Sequence, residues 1–227
     1  VYASPVLDGK ELVQGDVIKF KGMSKEIQEH REQYGEEPLW TGRAFSGMPA
    51  FTISVDYATN IARAINQGIR VAFPAPVNFL FLLLIGFFIL LLALKVNPWL
   101  AIIGSIAFAF SSNFLISIEA GHNTKIISIA YMPAVIGGIL LVLNKRYIIG
   151  AVVTGLFLAL LITAYHFQIL FYTFLVALTV GVTYLVVAIR DKTFPQFLKS
   201  IGVLVIAAIV AILPNFSVLY NTYVHTE

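Results

Sequence analysis

The sequence predicts an all-α polytopic membrane protein, a helical bundle of about six transmembrane helices preceded by an N-terminal outer loop that contains interface helices. Three observations predict it. After Arg70, charged residues occur only in short clusters separated by the uncharged runs 71–94, 96–118, 126–144, 147–189 and 200–226. The clusters alternate between basic and mixed, as loops on opposite sides of a bilayer do. Composition agrees: 59% of the residues are hydrophobic, 12% are charged, and the mean hydropathy is +0.86.

A helix rises about 1.5 Å per residue and needs roughly 20 apolar residues to cross hydrocarbon. Four of the runs therefore hold one crossing each, and run 147–189, about twice as long, holds two. Lys95, Lys145, Arg146, Arg190, Lys192 and Lys199 fall on one side, which the positive-inside rule makes cytoplasmic. Glu119, Lys125, His166, His225 and Glu227 fall outside, together with the polar segment 1–70. Loops of that length translocate largely regardless of their charge.

The expected division is an outer loop over residues 1–77, a six-helix core over 78–220 and the start of an outer segment over 221–227. The chain opens without Met and without a signal peptide, yet begins outside by parity, so a preceding crossing is expected. The net charge of +3 is small and its basic residues flank the membrane, which argues against nucleic-acid binding. Cysteine is absent, so there is no disulfide framework and no thiolate metal site.

Within the outer loop the chain predicts a turn at Asp8-Gly9, an acidic site at Gly15-Asp16 and a helix over 24–34. Ser24 is placed as the N-cap of that helix, Glu26 and Glu29 on its N-terminal side and Gly35 as its stop. Residues 38–49, dense in Gly, Pro and aromatics, read as an ordered loop. Over 57–69 the apolar Ile61, Ala62, Ala64, Ile65 and Ile69 recur at near-helical spacing, with Asn60, Arg63, Asn66 and Gln67 opposite, the pattern of a helix lying in the membrane interface. Pro74 and Pro76 break the chain before the first span. Further on, Ala151, Gly155, Ala159 and Thr163 form a small-residue stripe suited to close helix packing in lipid.

Polar side chains collect at the outer ends of the spans. Ser111, Ser112, Asn113, Glu119, His122, Asn123, Thr124 and Lys125 line the turn between the second and third spans, and His166 with Gln168 sits in the tight turn between the fourth and fifth. Such groups near a membrane mouth are costly unless paired or hydrated, so they are candidate site residues. The plain alternative is a Glu119–Lys125 ion pair, with His122, His166 and Gln168 satisfying helix ends. Asp16, Glu119, His122 and His166 match no zinc spacing, and no phosphate-binding glycine loop or nucleophile elbow occurs.

Several blocks carry a family resemblance. Gln14-Gly15-Asp16-Val17, Gly22-Met23-Ser24-Lys25-Glu26, Pro38-Leu39-Trp40-Thr41, Gly47-Met48-Pro49-Ala50, Lys95-Val96-Asn97-Pro98-Trp99-Leu100-Ala101, Ala107-Phe108-Ala109-Phe110-Ser111-Ser112 and Glu119-Ala120-Gly121-His122-Asn123 make the chain resemble the YfhO-like bacterial membrane proteins in their Bacteroidetes form. The family looks like the GT-C glycosyltransferases. These are multi-pass enzymes of the bacterial inner membrane that take sugar from a polyprenyl-phosphate carrier and use a carboxylate in the first outer loop.

The resemblance implies a GT-C-like bundle, transfer to an envelope acceptor on the outer face, and Asp16 at the catalytic carboxylate position. It also implies a lipid-linked sugar donor and membrane lipids as partners. In that reading Asp16 is a general base or holds a divalent metal, and Lys19, Arg43, His122 and Lys125 stabilise the leaving phosphate. Glu119, Asn123, His166 and Gln168 complete the candidate substrate-binding set. Asp16 stands apart from the family pattern in one respect, since no Asp-x-Asp or Glu-x-Asp pair occurs in the loop. The rival expectation is a non-catalytic scaffold or partner subunit of a larger envelope complex, told from the enzyme by whether a lipid-sized groove leads to Asp16. A transporter would instead put polar groups or helix breaks at mid-span.

Overall fold

A computed structural model describes residues 8, 12–43, 45–54 and 60–226. Gly9 of the expected turn, residues 57–59 of the expected second loop helix, and Glu227 lie outside the described residues. The molecule is mostly helical, at 79%.

The first helix, α1 (Gly15–Tyr34), begins nine residues before the expected start at Ser24. Ser24 is not a cap: it is buried in mid-helix, and its hydroxyl accepts from Gln28 Nε2 at 3.2 Å. The start falls instead at Gln14, which is extended, and Asp16 occupies the first turn, where a carboxylate complements the helix dipole. Gly35 ends the helix as expected. At φ +71 it adopts the left-handed conformation, and its N–H donates to the Arg31 carbonyl at 2.9 Å.

The expected ordered loop contains a small antiparallel ribbon, β1 (Trp40–Thr41) with β2 (Met48–Pro49), in which Trp40 pairs Pro49 and Thr41 pairs Met48. Gly47, at φ +115, leaves room for the Trp40 indole: a Cβ there would lie 2.5 Å from Trp40 Nε1.

Helix α2 (Ile61–Ala72) starts at Asn60, whose side chain accepts from the Arg63 N–H at 3.1 Å. Its faces differ from the expected division. Ala62 and Asn66 point inward while Ile61 is 69% exposed and Ile65 40%. The buried partner decides this, because Tyr131 donates its hydroxyl to Asn66 Oδ1 at 2.6 Å. A satisfied amide can be buried, and lipid accepts the isoleucines.

The uncharged runs are all helical. They form α3 (Val77–Ala93), α4 (Pro98–Ala109), α5 (Ser112–Ala120), α6 (Asn123–Leu143), α7 (Tyr147–Thr163), α8 (Phe167–Arg190), α9 (Phe194–Ile212) and α10 (Phe216–Thr226), the last two joined by the short 3₁₀ turn Leu213–Asn215. Among the described residues three helices are long and apolar enough to cross a membrane, Asn123–Leu143, Phe167–Arg190 and Phe194–Asn215. They become four if α4 and α5, bent by 47°, count as one span, while α3 and α7 are apolar but shorter. The bend falls at Phe110-Ser111, between the two helices. Helix α10 runs through the expected 220/221 boundary.

Helix α6 is the central post, 67% buried over its most apolar window against 11% for α8 and 17% for α9. It packs on α3 and α7 where glycines let backbones meet. A Cβ on Gly86 would overlap the Ala130 carbonyl oxygen, and one on Gly138 would lie 2.6 Å from the Thr154 backbone nitrogen. The small-residue stripe faces elsewhere, since a Cβ on Gly155 would sit 3.4 Å from the Ala207 carbonyl of α9.

Candidate functional site

The carboxylate of Asp16, in the first turn of α1, meets the turn between α5 and α6. Asp16 Oδ2 lies 3.1 Å from His122 Nε2, and Asp16 Oδ1 lies 3.5 Å from Lys19 Nζ one helical turn away. Two parts of the sequence more than a hundred residues apart thus supply one acid, one imidazole and one ammonium. All three groups are substantially exposed, with side-chain exposures of 44% for Asp16, 48% for His122 and 76% for Lys19. The pairing is therefore worth little as stabilisation and stays open to a ligand.

Beneath it lies a drier contact. Gln14 donates to the Ile118 carbonyl and, at 3.3 Å, to Asn123 Oδ1, while Asn123 Nδ2 donates back to Gln14 Oε1 at 3.3 Å. Gln14 was not singled out by the sequence beyond its place in a family block. Its signal was an amide directly before an acidic first turn.

The other expected site residues are not gathered here. Arg43 faces Glu26 at 4.0 Å, and Glu26 stands ten residues along α1 from Asp16, about 15 Å at the helical rise. Glu119 is exposed, and among the described residues it makes neither the expected ion pair with Lys125 nor a bond to Asp16 or His122. Lys125 is half-buried in the first turn of α6. His166 precedes α8 with its Nδ1 buried and unpartnered among the described residues, and Gln168 donates to the Tyr172 hydroxyl at 2.8 Å. Among the described residues no three His, Asp or Glu side chains come together to hold a metal ion. Asp16 and His122 supply two donors.

Glu26 organises the ribbon rather than the site. It accepts from the Thr41 hydroxyl at 2.7 Å and from the Gly42 N–H at 3.1 Å. The Thr41 hydrogen bond above all holds its carboxyl below the ordinary value of 4.5; partial desolvation opposes this, and Gly42 and Arg43 add to it. A carboxylate with a depressed folded pKa stabilises above its unfolded value and loses that contribution as pH falls through the folded one. In a Trp99→Phe background, Trp40 fluorescence is expected to report ribbon loosening only below about pH 4.5. Glu26→Gln should abolish that acid transition, and an identical titration in the variant would show that Glu26 does not hold the ribbon.

A second buried polar cluster escaped the sequence reading. Asn215 Oδ1 accepts from Asn60 at 3.0 Å and from the Thr163 hydroxyl at 2.9 Å, while its Nδ2 donates to the Ala159 and Ala211 carbonyls at 3.0 Å each. All of its hydrogen-bonding capacity is used, so it serves as a knot between α2, α7 and α9. The available signal was an amide following Pro214 in an otherwise apolar run.

The largest cavity described, about 810 Å³, is apolar and lies among α6, α7, α8 and α9, lined by residues such as Leu158, Phe174 and Leu204. Asp16, Lys19 and His122 do not line it. No family model, curated protein or solved structure matches this chain.

Proposed function

We propose that the chain is the core of a GT-C-type glycosyltransferase of the bacterial inner membrane, similar to the YfhO-like proteins, which moves sugar from a polyprenyl-phosphate donor to an envelope acceptor on the outer face. The observation that carries this reading is the 3.1 Å approach of Asp16 to His122 with Lys19 alongside. Asp16 takes the proton of the acceptor hydroxyl as its oxygen bonds to the anomeric carbon. The bond from that carbon to the phosphate oxygen breaks, and Lys19 and His122 stabilise the departing lipid phosphate. The step draws on no metal.

A second reading, a non-catalytic scaffold within an envelope complex, is favoured by one observation: the 810 Å³ cavity is not lined by Asp16. Sugar transfer from a polyprenyl-phosphate donor, assayed with the full chain in liposomes, separates the two. Transfer supports the enzyme, and its absence with every donor offered supports the scaffold.

The proposed topology has about six crossings, with the shorter α3 and α7 accommodated by local bilayer thinning. Lys145 and Arg190 then face the cytoplasm, and Asp16 and His122 face outward. The chain has no cysteine, so single-cysteine variants can be labelled one at a time. An impermeant thiol reagent is expected to modify position 122 and spare 145 in intact cells, and the reverse pattern would invert the topology.

A further inference from the structure

We propose that the Gln14–Asn123 amide pair, seated against Gly121, is the joint that positions Asp16 on His122, so that Gln14 is a positioning residue for the reaction proposed above, on which this inference rests. Three features lead to it. Gln14 occupies the N-cap position of α1 with extended backbone, φ −109 and ψ 121, yet its side chain makes no capping bond to the helix. The polar groups that usually satisfy a helix start are turned instead to a tertiary contact.

That contact is reciprocal, and it is buried on the Gln14 side while Asn123 is half-buried. Gln14 is 9% exposed, its amide exchanges hydrogen bonds with Asn123 at 3.3 Å in both directions, and it also donates to the Ile118 carbonyl. Losing one partner would leave buried polar atoms unsatisfied, which makes the pair intolerant of displacement. The exposed Asp16–His122 and Asp16–Lys19 pairs have no such leverage.

Gly121 completes the seat. It sits at φ +93 in the reversal between α5 and α6, and a Cβ there would lie 3.1 Å from Gln14 Cβ and 3.3 Å from Asp16 Cβ. The first turn of α1 therefore rests on bare backbone. Asp16 is two residues beyond Gln14 and His122 is one residue before Asn123, so the joint fixes both members of the reactive pair from below. Among the described residues the other side-chain hydrogen bonds of α1 stay within the outer loop, from Glu26 to Thr41 and Gly42 and from Arg31 to Glu37 and Ser54. Among the described residues the exposed Asp16–His122 pair is the one other polar side-chain contact from α1 to the bundle.

The test reads distance and needs no turnover. Nitroxide labels at Glu32 on α1 and Ile116 on α5, in the full chain in nanodiscs, should give one narrow distance distribution by pulsed electron spin resonance. Gln14→Ala is expected to broaden it at least twofold. The exchanged pair Gln14→Asn with Asn123→Gln should restore it, since the two amides can still meet. A control pair at Ile149 and Val186 within the bundle should keep its width. An unchanged Glu32–Ile116 distribution in Gln14→Ala, equal broadening of both label pairs, or no recovery in the exchanged pair would each overturn the joint. Absence of sugar transfer from the wild-type chain would overturn the proposed reaction and leave the distance result standing.

Discussion

Asp16→Asn is expected to insert and fold normally yet transfer sugar about 10²-fold more slowly or worse, since a positioned general base typically contributes 10² to 10⁴ in rate. Folding survives because Asp16 is exposed, and its contacts to His122 and Lys19 lie at the surface, where such pairs stabilise by about 1 kcal/mol at most. The amide cannot take a proton from the acceptor hydroxyl, so the loss falls on turnover. His122→Ala should lose less in rate and weaken donor affinity more than acceptor affinity, because its proposed role is on the phosphate side. Arg43→Ala should leave transfer near wild type, since Arg43 pairs with Glu26 about 15 Å along α1. Wild-type transfer by Asp16→Asn would remove Asp16 from the reaction.

Gly86→Ala is expected to be the most damaging single methyl group in the bundle. Its Cβ would overlap the Ala130 carbonyl, and both atoms belong to helix backbones that cannot step aside as a side chain does. Overpacking of this kind costs about 3 kcal/mol or more. Separation of α3 from the central helix α6 should appear as a lowered melting temperature and poor recovery from detergent. Gly155→Ala provides the contrast, because its Cβ would meet the Ala207 carbonyl at 3.4 Å, an ordinary contact distance. Equal melting temperatures for the two variants would show that the α3–α6 seam is looser than described here.

The helical bundle was legible because lipid imposes a one-dimensional rule: a segment that cannot be hydrated must be apolar along its length and must satisfy its backbone within itself. Breaks inside the runs were harder to see. The α4–α5 bend at Ser111 and the 3₁₀ turn at Leu213–Asn215, which carries Pro214, interrupt runs whose apolar character is continuous on either side. Ser24 misled for a related reason. A serine before two glutamates has the look of a cap, but α1 runs through Ser24 from Gly15, and the Gln14 amide before it pairs with Asn123, 109 residues away.

The sequence by itself determined that the chain is built of apolar helices, that a polar segment with an acidic residue near its start precedes them, and that polar groups gather at the helix ends. These follow from residue type and order, and both are local. Only the tertiary structure decided that Asp16 meets His122 and not Glu119 or His166, that Arg43 belongs to Glu26, that Asn66 and Asn215 are buried, and that the tight seams run through Gly86 and Gly138 rather than the visible small-residue stripe. The physical reason is that pairing and close approach depend on which helix faces turn toward each other. That choice is set by the summed packing of the whole bundle, and no window of sequence contains it.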